Sequence, residues 1–509
     1  MTAEHLEIKR KYEVEPATGL PLLTDLPKVA RVELALQSNL EAVYSDTDDL
    51  ALAGAGITIR RWTGGSDAGW HLKLPHGGDD RSEIAEPLSE DDGTVPEALV
   101  NKVRAWARRR ELRPMATLST SRIVHRLISE SGKVLAEISD DVVTAQATPQ
   151  QGEVVLTTWR EWEIELVGGT RKLLAAADEL FARSGAAPSA WPSKLHHALG
   201  LQPGSAVNGS ARLHDKSPAG DVVATYLATQ IAMILANDSS VRHAQPDSVH
   251  QMRVATRRLR SALSTFRPLF DRDVTDPIRE ELKWLAAALG RARDSEVQRN
   301  HLLTAVVAEP DDLVLGPVGR RIRVELQSAF RTTHDELSAA LDSDRYFELL
   351  GKLDLLAAGP PFTAAASHKA RTLLRQRVRH ACHILYALVS LGEPEVGENR
   401  DVWLHEIRKA AKRVRYAAEA ARPALGKPAG ALAAAAEELQ EVLGEHQDSV
   451  VLRVTLRAIG VEMFADGDNP FTVGRLHALQ QSRGAAADAA FVVLWSTRIA
   501  EQLREWRDR

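Results

Sequence analysis

Cysteine is almost missing: Cys382 is the only one in 509 residues. No intrachain disulfide can form, and the usage fits a reducing compartment. Excess positive charge is missing too, with a net charge of −5 and a pI near 6.4. That balance excludes a protein coated in positive charge for nucleic acid, though not basic sites held inside clefts. Long apolar runs are absent. "IAMILA" at 231–236 falls far short of a bilayer, and the opening "MTAEHLEIKRKYEVEP" has no apolar stretch of the secretory kind. The expectation is a soluble cytoplasmic protein with no membrane partner. At this length more than one core is expected.

What is present changes character near residue 200. Before it, short β-prone runs such as "GITIRRW", "GWHLKL", "RIVHRLI", "KVLAEIS" and "WREWEIELV" alternate with turns. "TRKLLAAADELFARSG" then reads as a helix ending at Gly185. Residues 203–217 lie in a Gly/Ser/Pro-rich linker. Beyond it, amphipathic Ala- and Leu-rich patterns continue and strand signals vanish. The fold class expected is multidomain α+β. It has an antiparallel β tunnel or barrel over 1–202, a linker over 203–217, and an all-α pair of pseudo-twofold-related four-helix bundles over 218–509, with repeats at about 218–360 and 361–509.

The repeat is explicit. "SVHQMRVATRRLR" and "WLHEIRKAAKRVR" match residue by residue: His250 with His405, Arg253 with Arg408, Arg257 with Lys412, Arg258 with Arg413, Arg260 with Arg415. On a helix each segment has one apolar face and one cationic stripe. An isolated stripe of this kind is ordinarily a solvated face. The first stripe, however, carries no interleaved acid, so its charges repel one another unless an anion is present, and the pattern recurs. "LGRARD" and "LGEHQD" extend the repeat, with Gly290 and Gly444 placed to end helices and Asp294 and Asp448 to cap the next ones. A further stripe, Arg371, Arg375, Arg379 and His383, exists in the second half only. Such a surface suits a polyanion. Base-stacking aromatics are missing from the matched stripes apart from Tyr416, which favours a simple phosphate polymer over nucleic acid. The two segments resemble the signature helices of the CHAD domain, the conserved-histidine α-helical domain. The resemblance implies binding of inorganic polyphosphate by the stripe residues, and residence at polyphosphate granules.

The β half alternates charge with apolar residues. Glu7, Lys9 and Lys11 share one strand face, as do Glu161, Glu163 and Glu165 on another. Lys73 alternates with His71, Arg122 pairs with Arg126, and Glu137 with Asp141. Cationic and acidic strands around one lumen could hold a phosphate chain and a divalent metal, Mg²⁺ or Mn²⁺. "EIKRKYEV", "YSDTDDLALAGAGITIRR", "GWHLKLP", "GKVLAEISDD" and "EWEIEL", in that order, resemble the CYTH domain of the triphosphate tunnel metalloenzymes. The resemblance implies an eight-stranded tunnel and metal-dependent hydrolysis of tripolyphosphate or related triphosphates. It assigns phosphate binding to Lys11, Arg60, Arg61, Lys73, Arg122 and Arg126. Glu7, Glu137, Asp141, Glu163 and Glu165 fall to the metal, and catalysis to Glu7, Lys11, Glu163 and Glu165. Two positions depart from the family pattern: Lys9 replaces an acid and Trp62 a basic residue. They keep open an alternative, a non-catalytic polyphosphate-binding protein with a degenerate tunnel.

Overall fold

The computed structural model describes residues 3–34, 37–64, 68–77, 80–88, 93–148, 154–201, 213–392, 394 and 398–508. The chain divides into two compact units, Met1–Ala206 and Val207–Arg509.

The strands of the first unit are β1 (Ala3–Val14), β2 (Arg31–Leu34), β3 (Ser38–Asp46), β4 (Thr58–Thr63), β5 (Gly69–Gly77), β6 (Asp80–Glu86), β7 (Arg113–Ile128), β8 (Val134–Ala147), β9 (Val155–Leu166) and β10 (Ala187–Pro188). Hydrogen bonding runs β1-β6-β5-β4-β3-β7-β8-β9 and returns from β9 to β1. This is a closed antiparallel ring, with β2 added to β7 and β10 to β1. The closure is staggered: the first half of β1, Ala3 to Ile8, pairs with β6, and the second half, Lys9 to Val14, with β9.

Period-two alternation decides which face is inside. The short helices of this unit are α1 (Ala51–Gly54), α2 (Glu97–Lys102), α3 (Arg104–Ala107), α4 (Arg171–Arg183) and α5 (Lys194–Leu199). Leu173, Leu174, Ala177, Leu180 and Phe181 of α4 pack on Tyr12, Ile138, Trp162 and Ile164. Leu99, Val103 and Ala107 pack on Ile59, Trp70, Leu72 and Ile84. These apolar faces point outward under helices, so the alternate, charged residues line the lumen. A one-residue slip would put the charges under α4, which fixes the register. Burial of each large side chain contributes about 1.5–3 kcal/mol. The helix α4 ends just before Gly185, whose φ is 86°.

The helix α5 lies on the luminal face instead. Its Leu195, Ala198 and Leu199 pack with Trp62, Leu118, Val143 and Ala145. Ser193 starts it by accepting a hydrogen bond from the His196 amide, and Gly200 ends it at φ 64°.

The second unit is helical: α6 (Ala219–Arg242), α7 (Ser248–Thr265), α8 (Arg272–Val307), α9 (Val318–Leu341), α10 (Asp344–Ala358), α11 (Ala370–Ser390), α12 (Glu398–Leu425), α13 (Lys427–Ala465), α14 (Phe471–Leu494) and α15 (Ala500–Asp508). The series α6–α10 and α11–α15 correspond; a shorter helix, α10, follows the four of the first repeat, whereas α15 continues α14 through a π-helical turn at Trp495–Ile499. The duplicated segments fall on α7 and α12. Gly290 and Gly444 do not end helices. They lie inside α8 and α13, which run unbroken through "LGRARD" and "LGEHQD", so Asp294 and Asp448 cap nothing. The helix α6 is long and apolar enough by composition to cross a membrane. In this fold it buries Val222, Val223, Leu227, Ile231 and Ile234, and its buried Asp238 accepts from Arg242 and Tyr346.

Candidate functional site

Two groups of charged side chains line the tunnel. The first is built by β1, β7, β8, β9 and α5. Carboxylate oxygens of Asp141, Glu161 and Glu163 lie within 4.8 Å of one another, and all three residues are buried. Arg122 grips Asp141 with two parallel hydrogen bonds, Nε to Oδ1 at 2.8 Å and Nη2 to Oδ2 at 2.6 Å. Lys11 and Lys9 reach Glu163 at 3.2 and 3.7 Å. The ammonium of Lys194 lies among the three acids, 3.0 Å from Asp141, 2.6 Å from Glu161 and 2.8 Å from Glu163.

The electrostatics follow from this crowding. Burial pushes the Glu163 carboxyl up, but Lys194, Lys9, Lys11 and Arg122 outweigh it and hold the group well below the usual carboxylate range. Burial likewise opposes the Lys194 charge, and Glu161, Glu163 and Asp141 reverse the effect and raise its pKa. Lys11 is lowered to about 8, chiefly by burial, with Glu163 resisting.

The second group sits on β4, β5 and β6. Glu83 takes Lys73 at 3.1 Å, His71 Nδ1 at 2.9 Å and Arg60 at 3.8 Å. Burial would raise the Glu83 carboxyl, yet the His71 hydrogen bond and the Lys73 and Arg60 charges hold it far below its ordinary value. Trp62 connects the groups: Arg60 stacks on its ring at 3.9 Å and Arg122 lies 5.7 Å from the ring centre. An aromatic face steers guanidinium groups without ligating phosphate itself.

The remaining tunnel candidates are placed elsewhere. Arg126 and Glu137 pair with each other at 2.9 Å in an exposed position. Alternation puts Arg61 on the face opposite Arg60, with Val43 and Trp70 as backbone partners. Glu165 stands opposite Lys9 in register and is not one of the converging acids. The side chain of Glu7 lies outside the described residues.

In the helical unit, the matched arginines are positioned by the glycines of the following helix. A Cβ on Gly290 would meet Arg253 Nε at 3.7 Å, and one on Gly444 would meet Arg408 Nη2 at 3.1 Å. The buried Nε atoms of Arg253 and Arg408 both lack a hydrogen-bond partner. Arg253 reaches Asp294 only at 3.5 Å. Lys412 joins them. Burial, then the charges of Arg257, Arg408 and Arg253, push its pKa down to about 6. The two repeats thus bring Arg253, Arg257, Arg408 and Lys412 into one electrostatic neighbourhood. Burial and then Arg293 lower the pKa of His250, and His405 Nδ1 lies 2.9 Å from Gln447 Oε1.

Other stripe residues are occupied differently. Arg258 and Arg415 share Glu419 at 3.1 and 2.8 Å, and Arg415 also takes Glu437 at 2.7 Å. Arg260 is disfavoured by burial, then by Arg257 and Arg279. Arg371, Arg375 and Arg379 line one surface cavity of about 360 Å³, although Arg371 also reaches Asp215 at 3.4 Å. Arg379, His380 and His383 line the next, and Arg413 is close enough to His380 to depress its pKa behind burial and Arg377.

A family model for the CYTH domain matches residues 5–190, and one for the CHAD domain matches residues 225–457. Two Mycobacterium tuberculosis proteins, "Uncharacterized protein MT2285" (strain CDC 1551 / Oshkosh) and "Uncharacterized protein Rv2226" (strain ATCC 25618 / H37Rv), are each 36% identical over 487 residues, 93% of this chain and 93% of their own. The chain belongs to the CYTH–CHAD family. Among solved structures, PptA from Streptomyces chartreusis shares 24% identity at a TM-score of 0.46, over 55% of this chain and 100% of that one. The CHAD domain from the plant Ricinus communis shares 26% at 0.43, over 56% of this chain and 95% of that one. CYTH and CHAD domains together support a role in triphosphate or polyphosphate chemistry.

Sequence reasoning passed over three residues of the CYTH tunnel. Glu161 was visible, because it alternates with Glu163. Glu83 had no such signal in "RSEIAE", and Lys194 lies in "SKLHHALG", a six-residue helix whose luminal placement is purely tertiary.

The CHAD glycines give a first prediction. Ala in place of Gly inside a helix is favoured by about 1 kcal/mol in propensity, and at the buried Gly290 and Gly444 the room for the added Cβ decides whether that gain is kept. Gly290→Ala has 3.7 Å of room and should raise the melting temperature with little change in anion binding. Gly444→Ala meets Arg408 at 3.1 Å and should move that guanidinium and weaken binding. Equal binding losses in a polyphosphate titration of both variants would sink this reading.

Proposed function

We propose that this protein binds inorganic polyphosphate with its CHAD domain and takes a linear triphosphate, together with a divalent metal, into its CYTH tunnel. One observation carries the reading. The two repeats bury Lys412 beside Arg257, Arg408 and Arg253, and burial first and those charges second push its pKa down to about 6. A polyanion placed beside these arginines is attracted by their charge and favours the protonated form of Lys412. Arg257 and Lys412, neighbours of the arginine pair, would contact it too, and the α11 stripe would extend the path. Titration of the full chain with polyphosphate at several salt concentrations tests this, since displaced counterions make the affinity fall steeply with salt. Affinity that does not change with salt would overturn it.

In the tunnel, Lys11, Arg60, Lys73 and Arg122 would bind phosphate oxygens. Asp141, Glu161 and Glu163 offer hard oxygen donors that suit Mg²⁺ or Mn²⁺. When bound, such an ion offsets phosphoryl charge and makes water more acidic. Lys9 favours slow turnover, because its ammonium competes for Glu163. Lys9→Glu should therefore raise both Mn²⁺ affinity and metal-dependent phosphate release from tripolyphosphate, and Trp62→Arg should add a phosphate contact. The assay compares tripolyphosphate, ATP and long polyphosphate. Brisk wild-type turnover that Lys9→Glu leaves unchanged would show that Lys9 is accommodated.

A further inference from the structure

The acids Asp141, Glu161 and Glu163 converge on one point, and a side chain of this chain already holds it. Lys194 Nζ is within 3.0 Å of all three. Only its contact with Glu163 is a directed hydrogen bond. Glu161 Oε1 is buried and receives none, although its partner oxygen accepts from Trp159 Nε1 at 2.7 Å. The ammonium therefore supplies charge to the cluster without satisfying its geometry, as a stand-in for a spherical cation would.

The charges around the point are already in excess. Three carboxylates face Lys194, Arg122, Lys11 and Lys9 within 4 Å. A divalent ion added to this arrangement would sit among four fixed cations. If Lys194 leaves, its place is open and the acids regain a ligand direction each. The lysine can leave alone. Its flexible four-carbon stem moves independently of the helix, while the backbone of α5 stays anchored by buried Leu195, Ala198 and Leu199. His197, stacked between Trp159 and Trp191 at 4.0 and 5.0 Å, holds the helix further.

We propose that Lys194 is an exchangeable internal counter-ion: it occupies the cation position of Asp141, Glu161 and Glu163 in the free protein, and a divalent metal binds there only by displacing it. This rests on the reading of the tunnel as a metal and triphosphate site, and it adds a regulation of that site. Metal alone binds poorly, because the displaced ammonium loses its partners in a buried place. Metal that arrives with a triphosphate binds well, because the ammonium transfers to phosphate oxygens.

The test is a calorimetric titration of the full chain with Mn²⁺ alone, in wild type and in Lys194→Met and Lys194→Arg, with melting in EDTA and in Mn²⁺. Lys194→Met should bind Mn²⁺ about tenfold or more tightly than wild type, the scale on which neighbours of ligands tune a metal. It should melt lower in EDTA and recover in Mn²⁺, whereas wild-type melting should respond little to Mn²⁺. Lys194→Arg keeps a cation in place and should bind Mn²⁺ no better than wild type. Equal Mn²⁺ affinity in wild type and Lys194→Met would overturn the proposal. If Lys194→Met does not fold in either condition, Lys194→Arg decides: tighter Mn²⁺ binding than wild type overturns it. Tripolyphosphate binding by wild type without metal reports separately on the cationic lumen. Its failure would remove the triphosphate reading and leave the metal–lysine exchange standing.

Discussion

Replacing Arg253 and Arg408 together by alanine should weaken polyphosphate binding by about 10²–10⁴-fold. Each guanidinium sits beside a glycine of the next helix with a buried Nε that no protein group satisfies. A hydrogen bond to a charged group is worth about 1.5–3 kcal/mol, so losing two amounts to roughly 3–6 kcal/mol. The effect on folding should be small or favourable, because the pair contributes mutual repulsion and its nearest acid, Asp294, is 3.5 Å from Arg253. Calorimetric titration with polyphosphate, and melting of both proteins, separates the two effects. A collapsed melting temperature with unchanged affinity in the folded fraction would make the arginines structural. The salt dependence of the remaining affinity should also become shallower, since fewer phosphate contacts release fewer counterions.

Polyphosphate binding should be accompanied by proton uptake at Lys412. In the free protein its pKa is about 6, so at neutral pH it is largely uncharged. A bound polyanion favours the ammonium and raises the folded-state pKa. Between the free and bound values, affinity should fall by up to about tenfold per pH unit as pH rises, the limit for one linked proton. The same shift has the opposite sign for the stability of the free protein. The unfolded lysine, at its ordinary 10.5, binds its proton throughout the window from about 6 to 10.5. The unfolded state therefore holds more protons there, and stability rises with pH across the window. Titrations in buffers of different ionisation enthalpy count the protons. Lys412→Met should remove the neutral-pH uptake, and Lys412→Arg should replace it with a permanent charge, tighter binding at alkaline pH and a lower melting temperature. A buffer-independent enthalpy in wild type would remove Lys412 from the account. His250, whose pKa is lowered by burial and then Arg293, should add to the uptake as the polyanion offsets those charges.

Alternation made the β half readable. Lys9, Lys11, Glu161 and Glu163 fall on one face of their strands, and the fold brings the lysines to Glu163. The matched basic segments were equally plain, because 3.6-residue periodicity separates their core and charged faces. What the one-dimensional pattern could not supply is partner choice. Arg258 and Arg415 belong to the stripes by helical phase, yet share Glu419. Glu137 and Asp141 share a strand face, yet one meets Arg126 at an exposed position and the other is buried among Lys194 and Arg122. Gly290 and Gly444 look like helix stops because local propensity favours that reading. The long helices continue because tertiary packing overrides it, and the missing Cβ makes room for an arginine from another helix. Lys194 was hidden for a related reason: no local pattern announces that a short capped helix will lie against the luminal face.

The staggered closure of the ring also governs how the chain must be made. The second half of β1 waits for β9, which lies about 150 residues later in the sequence. At a synthesis rate of about 5–20 residues per second, that is roughly 8–30 s on the ribosome with one strand edge uncovered. Uncovered edges invite pairing with other chains, and charged side chains discourage it. Lys9, Lys11 and Glu13 alternate along that waiting segment. The nascent protein is thus guarded against aggregation by the residues that later face the lumen, and substitutions that make the tunnel more apolar should lower the yield of soluble protein before they alter the finished fold.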